Sequence, residues 1–148
     1  MNNGTVITEL RRIEAKHGGV LRPKDVVKEA QKKSNPLHSW FEWDDSAAGR
    51  QYRLWQARHL ILVSVEVLPQ TDQSTRVFVS LKGDRIQPGG GYRNIVSVLS
   101  DEETRGQLLE EALAEFKAFE RKYKMLKQLA PIFAAAKQIK RGKMRKVS

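Results

Sequence analysis

The sequence predicts an α+β fold, mainly α, with a helix-turn-helix, winged-helix-like head, a β-hairpin, a long C-terminal helix and a basic arm. Three observations carry that expectation. Helical spacing of apolar residues recurs three times before residue 60. Two runs of alternating side chains then follow across a polar joint. Finally, a stripe of apolar residues from Leu109 to Leu126 steps by threes and fours and leads into a lysine- and arginine-rich end.

Each element has a local reason. Thr5 is placed to cap a first helix whose Val6, Leu10 and Ile13 share one face, and His17-Gly18-Gly19 ends it because glycine accepts the left-handed conformation. In VLRPKDVVKEA, Pro23 suits a first helical turn, Asp25 favours the positive end of the helix, and Val26, Val27 and Ala30 supply a buried side. A third helix is expected over DDSAAGRQYRLWQARHL, capped by Asp44 or Asp45, with Ala48, Tyr52, Trp55 and His59 on one face. The hairpin pairs LILVSVEV, where Val63, Val65 and Val67 alternate with Ser64 and Glu66, with RVFVSLK, where Val77, Val79 and Leu81 alternate with Phe78 and Ser80. GDRIQPGGGYRN is loop by composition. Ser100 and Glu103 form a capping-box signature for the long helix, and Pro131 breaks or restarts it. The head is therefore expected over residues 1–85, a loop linker over 86–99, a helical segment over 100–136 and the basic arm over 137–148.

Charge bounds the function. The chain has 148 residues with 27 Lys plus Arg against 17 Asp plus Glu, net +10, which implies a polyanionic partner. From Arg121 onward there are ten bases and no acid. With no cysteine, disulfides, thiol catalysis and sulfur-ligated zinc are excluded. No run of eighteen apolar residues is present, so no membrane partner is expected, and MNNGTVITEL lacks a signal-peptide layout. Residence in the cytoplasm of a bacterial host cell is the resulting expectation.

Catalytic patterns are weak. Glu42, Asp44 and Asp45 could hold magnesium, but no Glu-x-Lys strand signature accompanies them. His17, His38 and His59 are too widely spaced for a local metal site, and PGGGYRN lacks the Gly-Lys-Ser/Thr of a phosphate loop. Neither an enzyme nor a cofactor or metal is expected. Trp40, Phe41 and Trp43 read as core, beside acids that cap the next helix.

Two registers place DNA readers in the head. Three helices followed by a hairpin is the order of a winged helix, which makes Arg50, Gln51 and Arg53 the base contacts. In a shorter register Ser34 caps the reader, Asn35 and His38 reach bases, and Leu37, Trp40 and Phe41 pack inward. In this register DVVKEAQKKSNPLHSWF resembles the helix-turn-helix of tetracycline-repressor-type regulators: Val26, Ala30, Ser34, Leu37 and Phe41 fall on matching steps, with Gln31 and His38 where the family carries glycine and tyrosine. More of the chain, through NPLHSWFEWDD, YRLWQAR and GGYRNIVSVLSDEETRGQLLEEA, is similar to an uncharacterised group of small phage and prophage proteins, which implies a phage context.

In either register Arg22, Lys24, Lys32 and Lys33 are expected on phosphate, joined by Lys137, Lys140, Arg141, Lys143, Arg145 and Lys146 of the arm. The partner expected is duplex DNA, with a homodimer through the 109–126 helix as a further possibility. The role expected is transcriptional regulation; the alternatives are a sequence-indifferent architectural binder and a virion or assembly component.

Overall fold

The face predicted for the first helix is the one that is buried. In α1 (Asn3–Lys16), Val6, Leu10 and Ile13 are at most 2% exposed, and each contributes roughly 1.5–3 kcal/mol by leaving water. Gly18 and Gly19, at φ 70° and 79°, turn the chain away, and the Gly19 N–H closes the helix end on the Glu14 carbonyl. Helix α2 (Pro23–Ala30) begins on Pro23 as expected and buries Val26 and Ala30. This computed structural model describes residues 3–67 and 72–145. They fall into two units that divide between Thr104 and Arg105.

Residues 31–46 depart from the short register. In place of a recognition helix opening at Ser34 there are turns and one 3-10 turn, His38–Trp40. The Asn35 side chain accepts from the Leu37 N–H and holds the turn that delivers Leu37 to the core. Phe41 is buried and Trp43 packs against the core, whereas Trp40 is 43% exposed, contrary to its expected inward packing. Pro36 also disfavours a helical conformation at the residue before it.

Helix α3 (Ala47–Val63) is capped by Ser46, whose hydroxyl accepts from the Gly49 N–H, and not by Asp44 or Asp45; Asp44 instead accepts from the Ser46 N–H and hydroxyl. The helix runs through Leu60, Ile61 and Leu62, which the alternating pattern had assigned to a strand. Its buried residues are Gly49, Arg53, Ala57, Leu60 and Ile61. Tyr52, Trp55 and His59, grouped on one face as expected, point outward on the opposite side of the helix wheel.

The hairpin exists in a shorter form. Strands β1 (Val65–Val67) and β2 (Ser74–Arg76) are antiparallel, with Val65 opposite Arg76 and Val67 opposite Ser74. Val65 and Val67 are 40% and 55% exposed, so the alternation marked a strand but not its buried face. Past Arg76 the chain changes partner. Val77 bonds to Ser64 and Ile95, and β3 (Phe78–Val79) pairs with β4 (Arg93–Asn94). That switch buries Val77 and Phe78 in succession, which a single alternating strand cannot do.

The segment expected as a loop linker, 86–99, holds β4 and most of α5 (Ile95–Ser100), whose Ile95 and Val98 are buried. One-turn α4 (Lys82–Arg85) precedes it. Leu21 and Tyr92 exchange both backbone hydrogen bonds, at 2.8 and 2.9 Å, and the buried Glu14 carboxylate accepts from the Asn94 N–H at 2.6 Å. Gly91 fits there because a Cβ would meet Val20 at 2.6 Å.

The helical segment expected over 100–136, with a break or restart at Pro131, is interrupted earlier, between Tyr123 and Ala130. Helix α6 (Glu102–Tyr123) is held at its start by Asp101, which accepts from the Thr104 N–H and hydroxyl, while the Ser100 hydroxyl donates back to Val96. A 3-10 turn, Lys127–Leu129, leads into α7 (Ala130–Arg145), so Pro131 sits in a restarted helix. Within the second unit Phe133 is buried, with ring contacts to Phe116 at 5.9 Å and Phe119 at 6.3 Å. No helix among the described residues is long and apolar enough to cross a membrane.

Candidate nucleic-acid interface

The five expected base readers separate into two groups. Asn35 donates its amide to Glu9 at 2.6 Å and uses its oxygen on Leu37, so both ends serve the fold. His38 places Nδ1 2.9 Å from the Ala30 carbonyl and stacks on Trp43 at 4.9 Å. Arg53 is 7% exposed; its guanidinium donates to the Glu42 carbonyl at 2.9 Å and to the Asp44 carbonyl, and lies 5.4 Å from the Trp43 ring centre. These three hold the 34–46 segment against α1, α2 and α3. Arg50 and Gln51 remain exposed, and Arg50 reaches the Asp45 carbonyl at 2.9 Å.

The outer face of α3 is the distinctive surface of the first unit. Tyr52 and Trp55 are 47% and 54% exposed, and the rings of Tyr52, Trp55 and His59 form a ladder. Centre-to-centre distances are 5.6 and 5.4 Å, with planes 11° and 8° apart. Exposed Arg58 borders Trp55 on the wheel, and exposed Leu62 extends the stripe. Seventeen residues of α3 include three arginines and no acid. Helical spacing alone groups these rings on one face without saying which face is buried. The signal that distinguishes the faces is size: Gly49 and Ala57, eight apart, admit close packing that a tryptophan would block. At Gly49 a Cβ would stand 2.5 Å from the Asp44 carbonyl oxygen.

Elsewhere acids and bases neutralise each other within the fold. Glu29, buried on α2, receives Lys16 at 2.5 Å and Arg12 at 3.0 Å, and these partners hold its carboxyl down at about 2. Glu9 is likewise lowered, by its hydrogen bond from Arg12 and, more weakly, from Asn35. Burial pushes the Glu14 carboxyl up, against the Asn94 N–H and the charges of Arg11 and Arg93. Arg93 grips Asp84 through two bonds of 2.7 Å, and Arg11 pairs with Glu66 across to the hairpin. Of the expected phosphate contacts, Arg22 lies 3.9 Å from Asp25, while Lys24, Lys32 and Lys33 are exposed. Lys137 pairs with Glu120 at 3.0 Å. Lys140, Arg141, Lys143 and Arg145 follow in the last turns of α7, so the arm is helical there; their side chains, and all of Lys146, lie outside the described residues.

Compared with known protein families, curated proteins and solved structures, the chain matches none of them. Its chemistry is therefore read from the site alone. Among the described residues no group of three or more His, Asp or Glu side chains could hold a metal ion. What α3 offers is a cationic surface with exposed π faces, suited to binding phosphate by charge and bases by stacking.

Proposed function

We propose that this protein is a DNA-binding protein of phage type that regulates transcription by occupying DNA through the outer face of α3 and the basic helix α7. One observation carries the reading: α3 runs directly into the β1–β2 hairpin and presents Arg50, Gln51 and Arg58 outward with no acid along its length. A helix followed by a hairpin wing fits a groove contact flanked by a backbone contact. The chain's net charge of +10 supplies the long-range attraction.

Because Asn35, His38 and Arg53 are engaged in the fold, a second reading also has a specific support: sequence-indifferent architectural binding, with backbone contacts dominating. Fluorescence anisotropy with labelled duplex DNA across salt concentrations tests the proposal. Six to eight phosphate contacts give a log–log slope of roughly −5 to −7. Absence of binding at low salt refutes DNA binding in any form. Competition with unrelated duplex then decides between the readings, since a regulator retains a preferred site and an architectural protein does not.

A further inference from the structure

We infer that the Tyr52–Trp55–His59 ladder is a stacking site for unpaired nucleic-acid bases, so that the protein engages opened or single-stranded segments as well as duplex. This rests on the DNA-binding reading of α3 and specifies what a different part of its outer face takes.

The three rings recur at steps of three and four, so they rise along one side of α3 over about 10 Å. Adjacent rings are already parallel to within 11°. A flat heterocycle joins such a stack without reorienting any of them. Pairs at this spacing stabilise a helix only slightly, so helix stability alone does not call for three large rings here. Nor does the core use them: its α3 face is made by the opposite residues, Ala57, Leu60 and Ile61.

The surroundings select the ligand. Arg58 beside Trp55 offers a phosphate contact at the ladder's edge, and α3 carries no acid to repel a polyanion. The exposed Trp40 is tied to α3 through its carbonyl, which accepts from Gln56 at 3.3 Å. Aromatic faces bordered by cations are the chemistry by which proteins hold single strands with little sequence preference, since every base has a π face. A paired base inside duplex has no such face to offer, which is why the occupant is an unpaired base.

The test uses the full chain and a labelled strand of about 20 nucleotides, alone and annealed to its complement. For the native protein and for Trp55→Ala and Trp55→Phe, the ratio of single-strand to duplex affinity is measured at one salt concentration. Trp55→Ala should lower that ratio about tenfold, and Trp55→Phe should hold it within about threefold. Thermal unfolding of each variant establishes that it is folded, as expected for a half-exposed side chain. If the protein binds duplex and Trp55→Ala leaves the ratio unchanged, the ladder assignment is overturned while DNA binding stands. If the native chain binds neither form, the DNA-binding reading itself fails. Sedimentation supplies the remaining decision: a native dimer that Trp55→Ala converts to monomer makes the ladder a contact between copies and overturns the proposal.

Discussion

Replacing Arg53 with alanine separates a structural arginine from a DNA reader. In the native fold the Arg53 guanidinium donates to two backbone carbonyls, those of Glu42 and Asp44, and faces the Trp43 ring. A hydrogen bond from a charged donor contributes ~1.5–3 kcal/mol. Both carbonyls belong to residues exposed enough for water to replace part of that loss, so the low end applies and the pair is worth about 2–3 kcal/mol. The contact with Trp43 adds ~0.5–1 kcal/mol. Arg53→Ala should therefore cost about 3 kcal/mol, which lowers the unfolding midpoint by roughly 14 °C in a unit of this size. Arg53→Lys should fall between, because an ammonium can still donate to a carbonyl but has no planar face to lay against the Trp43 ring. Circular dichroism melts give the midpoints, and anisotropy well below the transition gives DNA affinity. An unchanged midpoint together with lost preference for a DNA site would sink this account and restore Arg53 as a reader.

Other perturbations follow from the same geometry. Glu29 is held at about 2 in the fold, below its usual 4.5, so its contribution is complete above about pH 4.5 and disappears as pH falls through about 2. Urea midpoints should fall across that window and fall less in Glu29→Gln; Glu14, shifted the other way, partly offsets the loss, and identical profiles for the two proteins would refute the assignment. Gly49→Ala gains ~1 kcal/mol of helix propensity yet drives a Cβ into the Asp44 carbonyl at a cost of ~1–3 kcal/mol, so a net loss of up to about 2 kcal/mol is expected by urea denaturation; a gain would show that the approach relaxes freely. Deleting residues 137–148 removes six bases and should weaken binding to every duplex alike, measured by anisotropy; unaltered binding would make the segment a solubilising tail.

The parts of the fold legible in the sequence are those fixed by local rules. Val6, Leu10 and Ile13, Pro23 and the paired glycines 18 and 19 each placed an element or its end. What failed were choices that depend on distant partners. Leu60 to Leu62 suit strand and helix alike, and packing of Leu60 and Ile61 in the core decided for helix. The β4 and α5 segment reads as loop because its partners, Phe78, Leu21 and Glu14, lie elsewhere in the chain. At the candidate site Arg50 and Gln51 were named and are exposed. Arg53, Asn35 and His38 suit base contact by chemistry, but each side chain hydrogen-bonds a neighbour that no spacing rule reveals. Helical spacing places Tyr52, Trp55 and His59 on one face, but whether that face is turned outward depends on what α3 packs against.

The backbone pairing of Leu21 with Tyr92, and of Glu14 with Asn94, has a consequence for biosynthesis. As the chain emerges from the ribosome, α1, α2 and α3 are available early, but the acceptor Glu14 and the edge at Leu21 wait for residues 92–94. Contacts this distant in sequence delay closure, because the long intervening loop must be ordered before they form. Through that interval a buried carboxylate and a core leucine edge have only water or chaperone for company. A ribosome stalled before residue 92 would hold a nascent chain that is helical yet unlatched, and its amides would become slow to exchange only once β4 is released.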